Sequence, residues 1–267
     1  MPYTLVTFHA HPDDETIATG GVMARAAAEG HRVVLVVATR GELGEVDDGV
    51  LEEGEELGDR RVAETAHAAE ILGVERLEFL GYRDSGMMGE PTNDEPGCFW
   101  QADVDEAAER LATILREEDA EILTVYDDHG GYGHPDHIQV HRVGVRAAEL
   151  AGTPVVCEAT MNRDHVQRLL RERPDDLPDD VERPDPEEFE EFGTPEALIT
   201  TTVDVRQFSD RKRASMAAHE SQIAESHFFL AMPIDAFREA FGYEWFIRRG
   251  APPGTREDNL FAGVPVR

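Results

Sequence analysis

The sequence predicts an α/β fold: a mostly parallel sheet with helices on both faces, in one domain with C-terminal additions. Three observations carry that expectation. Strand-like runs alternate with helical runs from the N-terminus to about residue 160. The first two strand-like runs are continuously apolar, as strands buried on both faces are, not apolar at alternate positions. Two stretches rich in His and Asp, at 11–15 and 126–137, each follow an apolar strand directly. Open parallel sheets place their sites at that end of a strand.

In chain order, YTLVTF (3–8) is a continuous apolar strand. ETIATGGVMARAAAEG (15–30) is alanine-rich and helical, and Gly30 ends it as glycine commonly does. RVVLVVAT (32–39) is a second apolar strand, followed by an acidic loop at 41–58. RRVAETAHAAEILG (60–73) has helical spacing, with Val62, Ala66, Ala69 and Leu72 on one side. RLEFLGY (76–82) is a third, shorter strand. DVDEAAERLATILREE (103–118) is helical, and EILTVYD (121–127) is the fourth strand. PDHIQVHRVGVRAAELAG (135–152) is a helix with Pro135 in its first turn, where the missing N–H does no harm. PVVCEAT (154–160) is the fifth strand. Residues 172–191 hold eleven acids and four prolines and read as a solvated, mobile insertion. Beyond them, ALITTTVDV (197–205) reads as a strand, RQFSDRKRASMAAHESQI (206–223) as a helix and FGYEWFIRR (241–249) as a late strand. These extend the same domain, so the whole chain, 1–267, is expected to be one unit.

Composition narrows the partners. The chain has 267 residues, 40% of them hydrophobic, enough for a sizeable core. No apolar run approaches the ~20 residues needed to cross a bilayer. Its strand-like start lacks a basic leader region or cleavage site, so no export signal is read. Two cysteines, Cys98 and Cys157, make no disulfide framework, and a reduced, cytoplasmic setting is expected. Acids outnumber bases 56 to 25, a net charge of −31 that disfavours nucleic acid and anionic membranes as partners. Lys212 is the only lysine; excess acid with so little lysine resembles proteins of salt-adapted cytoplasms, although a GC-rich genome also favours arginine. Nothing in the composition opposes a homo-oligomer.

Chemistry concentrates in the two His/Asp stretches. Asp13, Asp14 and Glu15 are three adjacent carboxylates at a strand end, an arrangement that calls for a cation. In the common doubly wound order strands one and four are neighbours at the switch point, so the two stretches converge. His11 and Asp14, three apart in a turn, together with His137, suit Zn²⁺ with a fourth position for water. Other divalent metals accept the same nitrogen/oxygen set. Asp13, beside Asp14, is placed as a general base. His134 is its protonated partner, with Asp136 orienting it. Tyr132, in a GGYG hinge, is placed to reach a developing oxyanion. Plainer roles compete: Asp13 and Asp14 as helix caps, His9 as a packed core histidine, His141 as a partly exposed helix residue. Asp127, Asp128 and His129 crowd the same mouth.

Rival chemistries lack their residues. A phosphorelay receiver needs a lysine at the end of its last sheet strand, and Lys212 lies within a helical run. G-x-G-x-x-G does not follow the first strand, and G-x-S-x-G does not occur. A non-catalytic metal- or sugar-binding module of the same fold is the remaining alternative; the spare carboxylate of Asp13 argues against it.

AHPDDE (10–15) together with YGHPDH (132–137) resembles the PIG-L/LmbE-type zinc de-N-acetylases. TRGELGEV (39–46), RRVAETAHAAEILGV (60–74), GYRDSGMMG (81–89) and CFWQADVDEA (98–107) resemble its actinobacterial branch of mycothiol S-conjugate amidases and acetylglucosaminyl-inositol deacetylases. The resemblance spans roughly residues 3–160 and continues more weakly through HESQI (219–223) and FGYEWFI (241–247). It implies a Rossmann-like sheet and hydrolysis of an N-acyl glucosamine amide, as a deacetylase or a larger-amide amidase. It implies one zinc ion on His11, Asp14 and His137, Asp13 as base, His134 as acid or electrostatic partner, and Tyr132 as oxyanion stabiliser. Arg61, Asp84 and Glu42 match positions that contact sugar or inositol.

Overall fold

The computed structural model describes residues 2–47, 49–172, 192–224 and 227–265. Seven strands form one sheet: β1 (Thr4–His9), β2 (Arg32–Val37), β3 (Arg76–Phe79), β4 (Ile122–Tyr126), β5 (Val155–Thr160), β6 (Thr201–Asp204) and β7 (Tyr243–Arg248). Their order is β3-β2-β1-β4-β5-β7-β6. The first five are mutually parallel, and β7 runs antiparallel to both β5 and β6. The order reverses between β1 and β4, so the expected switch point is where the sequence placed it.

Apolar strands need cover on both faces, and the helices provide it. On one side α4 (Val104–Glu117) packs against α6 (Pro135–Ala151), enclosing Phe8, Val36, Phe99, Leu111, Leu123 and Val140. Gly144 is required there, because a Cβ would stand 2.3 Å from the Val125 side chain and push α6 off the sheet. On the other side α2 (Gly20–Ala28) and Leu72 at the end of α3 (Leu57–Leu72) cover Leu5, Val33 and Ile122, and α8 (Ser209–Ala217) packs against both helices. No described helix is long and apolar enough to cross a membrane.

Four details depart from the periodic reading. The helix expected over 15–30 is two: α1 (Asp14–Ala18) breaks from α2 at Thr19, whose φ is −138°. The Thr19 hydroxyl donates to Glu15 O (3.2 Å) and meets His9 Nε2 at 2.8 Å, a local bond that competes with helical continuation. In α3 the buried face is Arg61, Glu64, Thr65, Ala68, Ala69 and Leu72, while Ala66 is exposed. Polar residues with buried partners had masked that face. The run 206–223 is a 3₁₀ turn (Arg206–Phe208) and α8, after which 218–223 leaves the helix. Finally, α5 (Gly130–Gly133), α7 (Arg163–Glu172), α9 (Phe228–Ala231) and α10 (Ile234–Phe241) were not anticipated. Of the acidic run, Glu172 ends α7, and 173–191 lie outside the described residues.

Beside the β5–β7 pairing, a buried ion pair within the C-terminal additions helps tie them to the domain. Lys212 Nζ donates to Glu244 Oε1 at 2.7 Å, with both side chains almost fully buried. Glu244 also accepts the N–H groups of Gly21 and Val22, both at 2.7 Å, at the start of α2. A carboxylate there satisfies otherwise orphaned donors and meets the positive end of the helix dipole.

Candidate active site

β1 ends at His9 and β4 at Tyr126, and the loops leaving them meet. The two rings touch, with His9 Nδ1 3.0 Å from the Tyr126 hydroxyl. His9 is fully buried and bonded on both nitrogens, the packed histidine of the sequence reading. Beyond them His11, Asp14, His134, Asp136 and His137 gather. Asp14 Oδ2 lies 3.3 Å from His11 Nδ1 and 3.4 Å from His137 Nε2, joining residues 123 positions apart in the chain. His11, His134 and His137 each bring a ring nitrogen within 4.8 Å of the others'. His11, Asp84 and Asp136 form a second such group.

Neither acid of the turn caps α1 with its side chain. Asp14 Oδ2 instead accepts the His11 N–H at 2.9 Å. Asp136 departs from its expected place. Its Oδ2 lies 3.2 Å from His11 Nε2 and accepts the Ser85 N–H at 3.0 Å; its Oδ1 accepts the Ser85 hydroxyl. The carboxylate therefore orients His11, not His134. What Asp136 gives His134 is its backbone N–H, donated to Nδ1 at 3.1 Å at the N-cap of α6.

Asp13 sits at φ 94°, a conformation a non-glycine residue adopts only under constraint. Its carboxylate accepts from Arg61 at 3.1 Å. Arg61, almost fully buried, also donates to Gly41 O at 2.8 Å and to Pro12 O. Asp84 is buried, accepts the Gly86 N–H at 2.9 Å and stands 3.5 Å from His11 Nε2. Glu42, at the rim, accepts the Asp84 N–H at 3.2 Å. Arg61, Asp84 and Glu42 thus bind one another's loops around the histidines.

Tyr132 is 44% exposed, its ring 5.0 Å from that of His137 and stacked on Phe192. Gly130, Gly131 and Gly133 around it all have positive φ, and a Cβ at Gly130 would stand 2.8 Å from His137 Cβ. Asp127, one of the residues crowding the mouth, accepts the Gly131 N–H at 2.7 Å and the Thr160 hydroxyl at 2.6 Å, so it anchors this loop.

Charge at the site is tightly compensated. Burial alone would lower the His11 imidazole, but hydrogen bonds to Asp136, Asp14 and Asp84 raise it well above its ordinary value. Burial would push Asp14 up, yet the neighbouring His137 and His11 hold it well below the usual carboxylate range. Burial, then His11 and His137, bring His134 down to about 4. Asp13 is pushed up to about 6, by burial first, with Arg61 opposing and Asp14 adding to the shift. Three carboxylates around His11 create a strong demand for positive charge. His137 Nε2 is buried and, beyond the Asp14 carboxylate 3.4 Å away, has no polar partner among the described residues. Imidazoles and carboxylates so arranged fit a divalent metal ion.

Sequence reasoning missed three groups. Ser85 fixes Asp136. Glu15 and His219, both fully buried, pair at 2.7 Å beneath Asp13. Glu64 accepts both the N–H and the hydroxyl of Ser221, at 2.9 and 2.7 Å. Ser85 and the 219–223 stretch lay within the similar motifs, but no local pattern assigned them a role.

Residues 6–148 match the family PIG-L: GlcNAc-PI de-N-acetylase. The 1D-myo-inositol 2-acetamido-2-deoxy-alpha-D-glucopyranoside deacetylase of Thermomonospora curvata is 42% identical, over 96% of this chain and 95% of its own. The chain belongs to the PIG-L family. Its relatives are named deacetylases, so the enzyme class is hydrolytic de-N-acetylation of an amide. Among solved structures, the N,N'-diacetylchitobiose deacetylase from Pyrococcus horikoshii aligns over 94% of this chain and 84% of its own, with TM-score 0.58 and 18% identity. GalB, the 4-carboxy-2-hydroxymuconate hydratase of Pseudomonas putida, aligns over 94% and 97%, with TM-score 0.61 and 20% identity. One fold thus hosts a deacetylase and a hydratase, and the PIG-L assignment rests on sequence, not on the fold.

Proposed function

We propose that this PIG-L enzyme uses zinc to hydrolyse the N-acetyl amide of a glucosamine conjugate, with an N-acetylglucosaminyl-inositol as the substrate its relatives' names favour. The observation that carries the reading is the meeting of Asp13, Asp14, His11, His134 and His137 at the adjoining ends of β1 and β4. His11, Asp14 and His137 would hold the ion, which when bound supplies Lewis acidity toward the acyl oxygen and makes water acidic near neutral pH. His134, close enough to join the imidazole cluster, serves as acid or charge partner and not as a fourth ligand, because its Nδ1 accepts the Asp136 N–H at the cap of α6, so that in the neutral ring Nε2 carries the proton.

Asp13 takes the proton of the attacking water; burial poises its carboxyl near neutrality, as suits a base. The carbonyl carbon becomes tetrahedral, and Tyr132 donates its hydroxyl to the developing oxyanion from the glycine-flanked loop. The proton that Asp13 took then passes to the leaving amine, with His134 as its charge partner, and the amine departs as the free amino sugar with acetate as the second product. Arg61 keeps Asp13 aimed at the site, and the Asp84–Glu42 rim faces the sugar. Each oxyanion donor of this kind is worth ~10²–10³ in rate.

The test is acetate release from a panel of N-acyl glucosamine conjugates, before and after chelation and zinc restoration. Acetate production that chelation abolishes and zinc restores is the expected result. Release of only larger acids assigns a larger-amide amidase, and sugar binding without any acid release assigns a binding module.

A further inference from the structure

HESQI (219–223) is not used by the reaction above, yet its polar side chains are tied to the site. His219 Nε2 meets Glu15 Oε1 at 2.7 Å, across 204 positions of sequence. The Ser221 N–H and hydroxyl are held by Glu64 of α3, and Gln222 Nε2 donates to Glu45 O at 3.0 Å. Ile223 packs with Met216 and Phe237. The stretch is thereby clamped between α1 and α3 as a plate behind the turn carrying Asp13.

Glu15 makes the connection. Its other oxygen, Oε2, accepts the N–H of Asp13 at 2.9 Å. Asp13 is one of two non-glycine residues with positive φ among the described residues. Such a backbone persists only where its surroundings over-determine it. Here Glu15 holds the Asp13 N–H, Thr16 donates its N–H and hydroxyl to Asp13 O at 3.0 and 2.8 Å, and Arg61 holds Pro12 O. A buried ion pair is an inefficient way to stabilise a fold, since apolar residues of similar volume often do as well. This one ends on the peptide of the residue read as the base.

We infer that Glu15 and His219 form a positioning pair that keeps Asp13 in its constrained conformation, so that the C-terminal part of the chain sets the aim of a base supplied by the N-terminal part. The inference rests on Asp13 being the base. With His219 removed, the Glu15 carboxylate is buried without its partner, its hold on the Asp13 N–H loosens, and the turn relaxes.

His219→Ala should lower kcat about 10- to 100-fold, leave KM and zinc per chain unchanged, and speed amide hydrogen exchange in a peptide spanning 11–15 of the zinc-loaded enzyme. His219→Gln, which keeps an N–H for Glu15, should recover most of the kcat. Ser221→Ala should lower Tm while leaving kcat near wild type, separating positioning from stability. If His219→Ala does not fold, His219→Asn, too short to reach Glu15, carries the same readouts. Wild-type kcat and exchange in the variant that cannot reach Glu15 would overturn the inference, as would a kcat loss that Ser221→Ala reproduces or one matched by zinc loss. Asp13→Asn separates the two readings. If it is inactive while His219→Ala is normal, only the positioning pair is wrong; if it keeps full turnover, the base assignment falls and this inference with it.

Discussion

The Asp136 carboxylate lies 3.2 Å from His11 Nε2, linking the start of α6 to the loop after β1 across 125 positions of sequence. An imidazole whose far nitrogen donates to a carboxylate has its tautomer fixed and its other nitrogen made a better ligand. Asp136→Ala should therefore weaken zinc binding by ~10- to 100-fold. Titration with a competing chelator measures this directly, and unchanged affinity would reduce Asp136 to a packing role.

Asp13→Ala should keep its zinc and lose turnover by ~10²–10⁴, the usual contribution of a positioned base. Metal analysis of the purified variant beside its acetate-release rate decides the point. Loss of zinc together with activity would make Asp13 a ligand instead.

The same carboxylate predicts a pH profile. Asp13 is pushed up to about 6, and a base acts only when deprotonated, so kcat/KM should fall as pH falls through its pKa. A cation beside Asp14 favours the charged carboxylate, which places the acid limb at or below about pH 6. A limb above pH 7 in a series of buffers at constant ionic strength would contradict the assignment.

Lys212→Ala should destabilise the fold by ~3–5 kcal/mol, because it leaves the Glu244 charge buried without its partner. Urea unfolding of the two proteins measures the difference. A change under 1 kcal/mol would mean that the two α2 N–H donors satisfy Glu244 alone.

With a net charge of −31 the folded surface repels itself. Screening shortens from ~10 Å at 0.1 M to ~3 Å at 1 M salt. Tm should therefore rise with KCl over that range, and a flat or falling curve would show that charge does not limit stability.

The sheet and the meeting of the two motifs were legible in the sequence because each signal is local: a fully apolar run, then a chemical cluster at its end. The break at Thr19 was not, since Thr19 closes it on His9 in a neighbouring strand. The buried face of α3 was misplaced because Arg61 and Glu64 read as solvent-facing until Gly41, Asp13 and Ser221 supply their partners. Asp136 was assigned to the wrong histidine for a related reason. Proximity in sequence favoured His134, whereas the fold brings His11 to its carboxylate. Nothing local could assign His219, whose partner lies at the other end of the chain.

The clamp of Glu244 on α2 bears on how far the chain could be shortened. A fragment ending after β5, near residue 160, would retain every group named in the bond-breaking steps. It would lack the strand that covers β5, the carboxylate that closes the start of α2 and the histidine under Asp13. The reagents are encoded early and their scaffold late, so a minimal version would keep the chemistry's alphabet without the grammar that orders it.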